Sequence, residues 1–203
     1  MPDGQLPSLY LASQSPRRRQ ILENLGLAFR VLTPEENETH PNASDIDEVA
    51  RTNAERKASA VLESLPAGDS VVIGADTLVL AGNRVLGKPK DSTDAQKMLE
   101  LLSGSAHTVV TGIALLSPQH GTRSSSVRTE VRFRKLSPHE IQDYLKTREP
   151  YDKAGAYGVQ GMAALFIEGM AGSYTNVMGL PVEQLLLDLS ALTAIPVWRW
   201  FRK

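Results

Sequence analysis

The run Val71-Val72-Ile73-Gly74-Ala75-Asp76-Thr77-Leu78-Val79-Leu80 constrains this chain more than any other segment. A stretch so apolar and so rich in β-branched residues reads as a buried strand, yet it carries a carboxylate at its centre. Burying an uncompensated carboxylate costs several kcal/mol or more, so Asp76 needs a cationic partner, hydrogen-bond donors or a metal ion. Gly74 and Ala75 beside it leave room for another backbone or a ligand to come close. The ordinary alternative, an aspartate capping a bulge or turn, fits poorly because the apolar pattern resumes at Leu78. After a turn at Gly82-Asn83, Arg84-Val85-Leu86 returns toward Gly87-Lys88-Pro89. The proline there holds a short basic loop, although a solvated lysine is the plainer reading of Lys88.

A second constellation lies near the front. Leu9-Tyr10-Leu11-Ala12 runs into Ser13-Gln14-Ser15-Pro16-Arg17-Arg18-Arg19, which reads as a strand feeding the start of a helix. Ser15 suits the N-cap and Pro16 the first helical position; Ile21, Leu22 and Leu25 form an apolar stripe before Gly26 ends the helix. Unpaired N–H groups, the helix dipole and forked guanidiniums together favour an anion such as phosphate. A capped helix with solvated arginines is the competing reading of this segment taken alone.

Phe29-Arg30-Val31-Leu32 reads as a second strand, followed by a polar loop over residues 33–44 whose Glu35, Glu36 and Glu38 make it a candidate metal site. A helix is expected from Ser44 or Asp45 to about Leu65, with Ile46, Val49, Ala50, Ala54, Ala58, Val61 and Leu65 on its buried side. At about 100° per residue, Asn53 and Lys57 fall inside that apolar arc. A lysine so placed either snorkels to the rim of the core or points its ammonium into a polar cleft.

The other segments read as an α/β scaffold with at least one antiparallel hairpin. Residues 93–102 pattern as a helix. Residues 108–116 and 125–133 pattern as a long hairpin joined across 118–123, and residues 138–147 as a helix capped by Ser137. The segment Glu149-Pro150-Tyr151-Asp152-Lys153-Ala154-Gly155-Ala156-Tyr157-Gly158-Val159-Gln160-Gly161 has no clean period and suits a binding loop, in which the Gln160 amide offers a donor and an acceptor to a base edge. Residues 163–168 and 173–177 read as a last pair of strands, and Pro181 opens a final helix through about Leu192. The aromatic and basic tail from Pro196 to Lys203 is expected to pack onto the body.

Composition sets the limits. With 203 residues, 41% hydrophobic and 22% charged, the chain is long enough for a sizeable core, and one domain over residues 1–203 is the expectation. A net charge of −1 gives no overall field for a polyanion, which disfavours a nucleic-acid polymer or an anionic membrane and favours a small anionic ligand held by local clusters. Zero cysteines exclude disulfides, thiol nucleophiles and cysteine-ligated zinc. His40, His107, His120 and His139 have no ligand spacing. The polar start and the short apolar runs point to a cytoplasmic protein.

Taken in order, Ser13-Gln14-Ser15-Pro16-Arg17-Arg18, Gly74-Ala75-Asp76-Thr77, Gly87-Lys88-Pro89, the segment from Asp152 to Gly161, and Gly179-Leu180-Pro181 resemble the Maf family of nucleoside triphosphate pyrophosphatases over about residues 8–190. The resemblance implies a mixed sheet with flanking helices, arranged as two lobes around a deep cleft and related to the inosine triphosphate pyrophosphatases. It implies cleavage of a nucleoside triphosphate between the α and β phosphorus atoms, with Mg²⁺ or Mn²⁺. By position, Asp76 matches the family's proton acceptor; Arg17, Thr77 and Gln160 match positions tied to substrate choice; Ser13, Arg18, Lys57 and Lys88 match residues lining the cleft. Glu38 matches a cleft acid which, with Asp76, would hold the metal. Arginine, threonine and glutamine at the three choice positions match the subfamily acting on dTTP and UTP, a house-cleaning role in the nucleotide pool. Two-lobed relatives often pair, so a homodimer is an expectation as well. The alternative is a regulatory nucleotide-binding protein influencing septum formation and cell division.

Overall fold

The computed structural model describes residues 6–33 and 45–201. Its frame is a mixed seven-stranded sheet in the order β2-β1-β3-β5-β6-β7, with β4 also paired to β3. The strands are β1 (Ser8–Ala12), β2 (Phe29–Leu32), β3 (Ser70–Ala81), β4 (Arg84–Leu86), β5 (Ala106–Ser117), β6 (Gly121–Phe133) and β7 (Ile167–Ala171). Helices α1 (Pro16–Asn24) and α2 (Ile46–Glu63) lie between the parallel strands β1, β2 and β3, which such crossovers require. Helices α3 (Ser92–Leu102), α4 (Pro138–Leu145), α5 (Tyr174–Met178) and α6 (Val182–Thr193) complete the α/β arrangement.

The apolar run of the sequence is the central strand β3, and its alternation divides the structure. Val71, Ile73 and Ala75 face a core built with α1 and α6, through Ile21, Leu22, Leu185 and Leu189. Two positions on, Val79 and Ala81 face a second core built with α3 and α4, through Leu99, Leu102, Ile141 and Tyr144. Thr77 falls between the two cores, which makes the lobes expected from the sequence. The opposite face of β3 carries Val72, Gly74, Asp76 and Leu78 and is covered by α2.

Helix α2 lies unusually close to the sheet. A Cβ on Gly74 would stand 2.0 Å from the Ala54 carbonyl oxygen, and one on Gly112 2.2 Å from the Ala50 carbonyl carbon. Ala50, Ala54 and Ala58 form a ridge of small side chains one turn apart, so helix backbone rests directly on strand backbone. The start of α2 is fixed by Asp45, whose Oδ1 accepts from the Asp47 and Glu48 N–H groups, and by Arg128 of β6, which donates from Nε to Asp47 at 2.9 Å.

Several expectations differ from the structure. The turn of the long hairpin is shorter, because β6 begins at Gly121 with a φ of +89° rather than at Ser125. The last pair of strands is replaced by a 3₁₀ turn (Met162–Phe166), β7 and α5. Ser173 caps α5 by accepting from the Asn176 N–H, and Gly179 closes that helix in the left-handed region, φ +106°. At α1, Ser15 occupies the cap position without a side-chain cap bond; its N–H instead donates to Ser13 Oγ. The tail packs onto the body through buried Trp200 and a bridge from Phe201 to Leu27, with Trp198 left exposed. Among the described residues, no helix is long and apolar enough to cross a membrane.

Overfilling the contact between α2 and the sheet tests this packing. Gly74→Ala is expected to destabilise the fold by about 1–3 kcal/mol or more, read from the urea midpoint, and an unchanged midpoint would contradict the contact.

Candidate active site

A break in strand pairing opens the site. On the side of β3 away from β5, β1 pairs as far as Gly74 and β4 begins at Val79. Among the described residues, no strand pairs with positions 75–78 on that side. Asp76 and Thr77 point to opposite faces of the sheet, yet both line one cavity of about 700 Å³, because the cavity meets the bare edge of the strand between them.

Asp76 has found its partners on α2. Lys57 Nζ donates to Oδ1 at 2.6 Å and Asn53 Nδ2 donates to Oδ2 at 2.9 Å. All three groups are buried, with Asp76 3%, Asn53 5% and Lys57 8% exposed. Asn53 and Lys57 are four residues apart on one helix face, and the close approach at Gly74 and Gly112 brings that face onto the carboxylate. Lys57 thus points into the cleft rather than snorkelling. Each carboxylate oxygen keeps a further lone pair for a water, a metal ion or a proton.

Arg18 is held on three sides. Its Nε donates to the Gly179 carbonyl at 2.8 Å, Nη1 to Ser13 Oγ at 3.2 Å and Nη2 to Thr77 Oγ1 at 3.1 Å. A guanidinium anchored in this way is held in one fixed orientation at the cavity wall, which suits recognition of a phosphate. Arg17 lies on the same wall and pairs with Asp152 at 3.2 Å; Asp152 also accepts from Lys153. Burial alone would raise the Asp152 carboxyl, but the bond from Lys153 and the Arg17 charge hold it below the usual aspartate range. Asp152 therefore ties two cavity cations together across the cleft mouth, from α1 to the 3₁₀ turn Glu149–Asp152 and the residue after it.

Of the residues expected from sequence, Ser13, Arg17, Arg18, Lys57, Asp76, Thr77 and Lys88 all line the cavity. Gln160 does not: it is exposed and lies just beyond Val159, which is the last residue of that loop to line the wall. Glu38, with Glu35 and Glu36, lies outside the described residues. Three groups were given no site role from sequence. Asn53 was visible as a polar residue in an apolar arc, whereas Asp152 and Lys153 carried only the irregularity of their segment.

Among the described residues, no three His, Asp or Glu side chains gather to form a metal site by themselves. The donor chemistry nevertheless fits a cation shared with a substrate, since Mg²⁺ commonly takes one or two carboxylates together with phosphate oxygens. Asp76 supplies one such carboxylate at the cavity wall.

Behind the wall, His107 Nε2 and the Tyr157 hydroxyl are 2.8 Å apart, and Phe133 meets both rings edge-on. Burial pushes His107 down to about 4 and raises the Tyr157 phenol above its usual range. A neutral His107 costs the fold nothing above pH 6.5. Between 6.5 and 4 the unfolded chain takes up a proton that the folded chain refuses, so stability falls with pH over that window. The loss expected from this group is about 3 kcal/mol, and it should vanish in His107→Phe when unfolding is followed from pH 7 to 4. Equal losses in both proteins would contradict the assignment.

The Maf-like protein family model matches residues 8–192. A dTTP/UTP pyrophosphatase of Pelotomaculum thermopropionicum is 47% identical over 181 residues, covering 89% of this chain and 94% of the relative. Another, from Bacillus cytotoxicus, is 45% identical over 179 residues, covering 88% and 92%. A solved HAM1 protein from Coxiella burnetii superposes with a TM-score of 0.48 at 16% identity, over 92% of this chain and 100% of that one.

Proposed function

This chain belongs to the Maf family, and from that premise we propose that it is a nucleoside triphosphate pyrophosphatase hydrolysing dTTP and UTP to the monophosphate and pyrophosphate. The observation that carries the reading is the buried Asp76 carboxylate, held between Lys57 and Asn53 at the edge of a cavity lined by Arg17, Arg18, Lys88 and Lys153. A triphosphate is the ligand whose charge such a wall balances, and a positioned carboxylate is what water needs to attack it. Relatives of this length and similarity are named for these two substrates.

Water adds across the anhydride bond between the α and β phosphorus atoms. Asp76 receives the proton of the attacking water on an oxygen whose direction is set by Lys57 and Asn53. Arg18, immobilised by Ser13, Thr77 and Gly179, holds phosphate oxygens in line, while Arg17 and Lys88 offset the remaining charge. As pyrophosphate departs, these cations stabilise the charge that gathers on it. Asp76 and Glu38 are the residues that would hold Mg²⁺ or Mn²⁺, which when bound supplies further charge neutralisation and a more acidic water. Gln160, exposed just beyond the wall residue Val159, is assigned in this reading to the base rather than the phosphates. The partner is a small nucleotide of the cytoplasmic pool rather than a nucleic-acid polymer.

Product analysis of the purified protein with dTTP, UTP, CTP, 7-methyl-GTP and ATP, in Mg²⁺ and in Mn²⁺, tests this reading. Monophosphate and pyrophosphate are expected from dTTP and UTP, with CTP weaker. Asp76→Asn is expected to lower turnover by at least about a hundredfold with circular dichroism unchanged. A folded and fully active Asp76→Asn protein would remove Asp76 from the chemical step.

A further inference from the structure

The hydroxyl of Thr77 belongs to a chain of hydrogen bonds that leads away from the cavity. Arg18 Nη2 donates to Thr77 Oγ1 at 3.1 Å, Thr77 Oγ1 lies 3.0 Å from Thr111 Oγ1, and Thr111 Oγ1 donates to the Asn176 carbonyl at 3.0 Å. The donor inventory fixes every direction along it. A carbonyl only accepts, so the single hydroxyl proton of Thr111 goes to Asn176. Thr111 can then only accept from Thr77, which uses the Thr77 proton. A guanidinium only donates, so Arg18 occupies one Thr77 lone pair. Thr77 lines the cavity, and what its oxygen still offers there is one acceptor and no donor.

The far end of this chain is rigid. Thr111 and Asn176 are both 0% exposed. The Asn176 side chain donates from Nδ2 to the Val109 carbonyl at 3.1 Å and to Thr129 Oγ1 at 2.9 Å, which ties α5 to β5 and β6. A threonine hydroxyl with a free proton can turn to suit a donor or an acceptor. This one is locked from behind, in a part of the protein that substrate does not reach.

We propose that Thr111 is a specificity-determining positioning residue: by consuming the Thr77 proton it makes the cavity accept a uracil or thymine ring, whose N3 carries a hydrogen, over a cytosine ring, whose N3 does not. The inference rests on the reading of the chain as a pyrimidine nucleotide pyrophosphatase. A cytosine N3 would set its lone pair against that of Thr77, and a site built to accept a hydrogen bond rejects a ligand without the donor more strongly than any apolar contact would.

The test compares kcat/KM for UTP and CTP in the wild-type chain, Thr111→Val and Thr111→Ser. Valine keeps the shape, removes the hydroxyl and releases the Thr77 proton, so the preference for UTP over CTP is expected to shrink by about tenfold or more, chiefly through a gain on CTP. Serine keeps the relay and is expected to keep the wild-type ratio. Thr77→Val is expected to lose the preference too, and adding Thr111→Val to it should change the ratio no further, as two members of one chain require. Thr111→Ala gives the same reading if the valine variant does not fold. An unchanged ratio in folded Thr111→Val, or an equal loss in Thr111→Ser, overturns the proposal. A wild-type protein that turns over UTP and CTP equally also overturns it while leaving the pyrophosphatase reading intact, whereas no pyrimidine turnover at all overturns that reading and this one with it.

Discussion

The site depends on one contact, the backbone of α2 resting on the backbones of β3 and β5 where Gly74 and Gly112 have no side chains. Any Cβ at either glycine would overlap the helix, so the pair sets how near Asn53 and Lys57 come to Asp76. The sequence supports this from both sides: glycines on the strands are met by the alanines at 50, 54 and 58 on the helix. Close packing here also solves the energetic problem of the central strand. A carboxylate that would be costly alone is buried together with a cation and an amide, each within hydrogen-bond distance, and removing either partner would expose that cost again.

The second constraint is the interruption of strand pairing between Gly74 and Val79. A continuous ladder there would have buried the backbone of residues 75–78 and sealed the two faces of the sheet from each other. The gap instead lets a side chain from each face reach the same cavity, Asp76 toward α2 and Thr77 toward α1 and α5. The two faces then contribute different chemistry. On one side lies the carboxylate with its positioning partners; on the other lies Arg18, locked by Ser13, Thr77 and the Gly179 carbonyl. Rigid donors of this kind need little reorganisation when charge develops, which is where electrostatic catalysis gains most.

Much of this was legible in the residues. The β3 run showed that a buried strand would carry a carboxylate, and the helical period placed Lys57 and Asn53 on the buried side of α2 before any partner was known. That Asp76 is their partner was not legible, because the pairing spans 19 and 23 residues and depends on the angle at which a helix crosses a sheet. Short segments misled for a different reason. Five residues from Tyr174 hold too few periods to separate strand from helix, and the deciding signals were the Ser173 cap and the positive φ of Gly179 rather than apolar pattern. The polar start of β6, Thr122-Arg123-Ser124, read as loop because Thr122 and Arg123 are exposed and Ser124 only half-buried, although its backbone pairs fully with β5. Asp152 gave no periodic signal either; its partner Arg17 lies 135 residues away.

If the glycine contact places the carboxylate proposed to be catalytic, chemistry should fail before folding does when that contact is disturbed. The direct measurement is UTP turnover at saturating substrate by Gly112→Ala, at a temperature where the variant is shown to be folded. Gly112 lies opposite Asp76 in the ladder, so its new methyl group would push Ala50, and α2 with it, away from the carboxylate. The account predicts a fall in kcat of about tenfold or more, since displacements on the order of 1 Å carry penalties of that size or larger. A folded Gly112→Ala protein with wild-type kcat would contradict it.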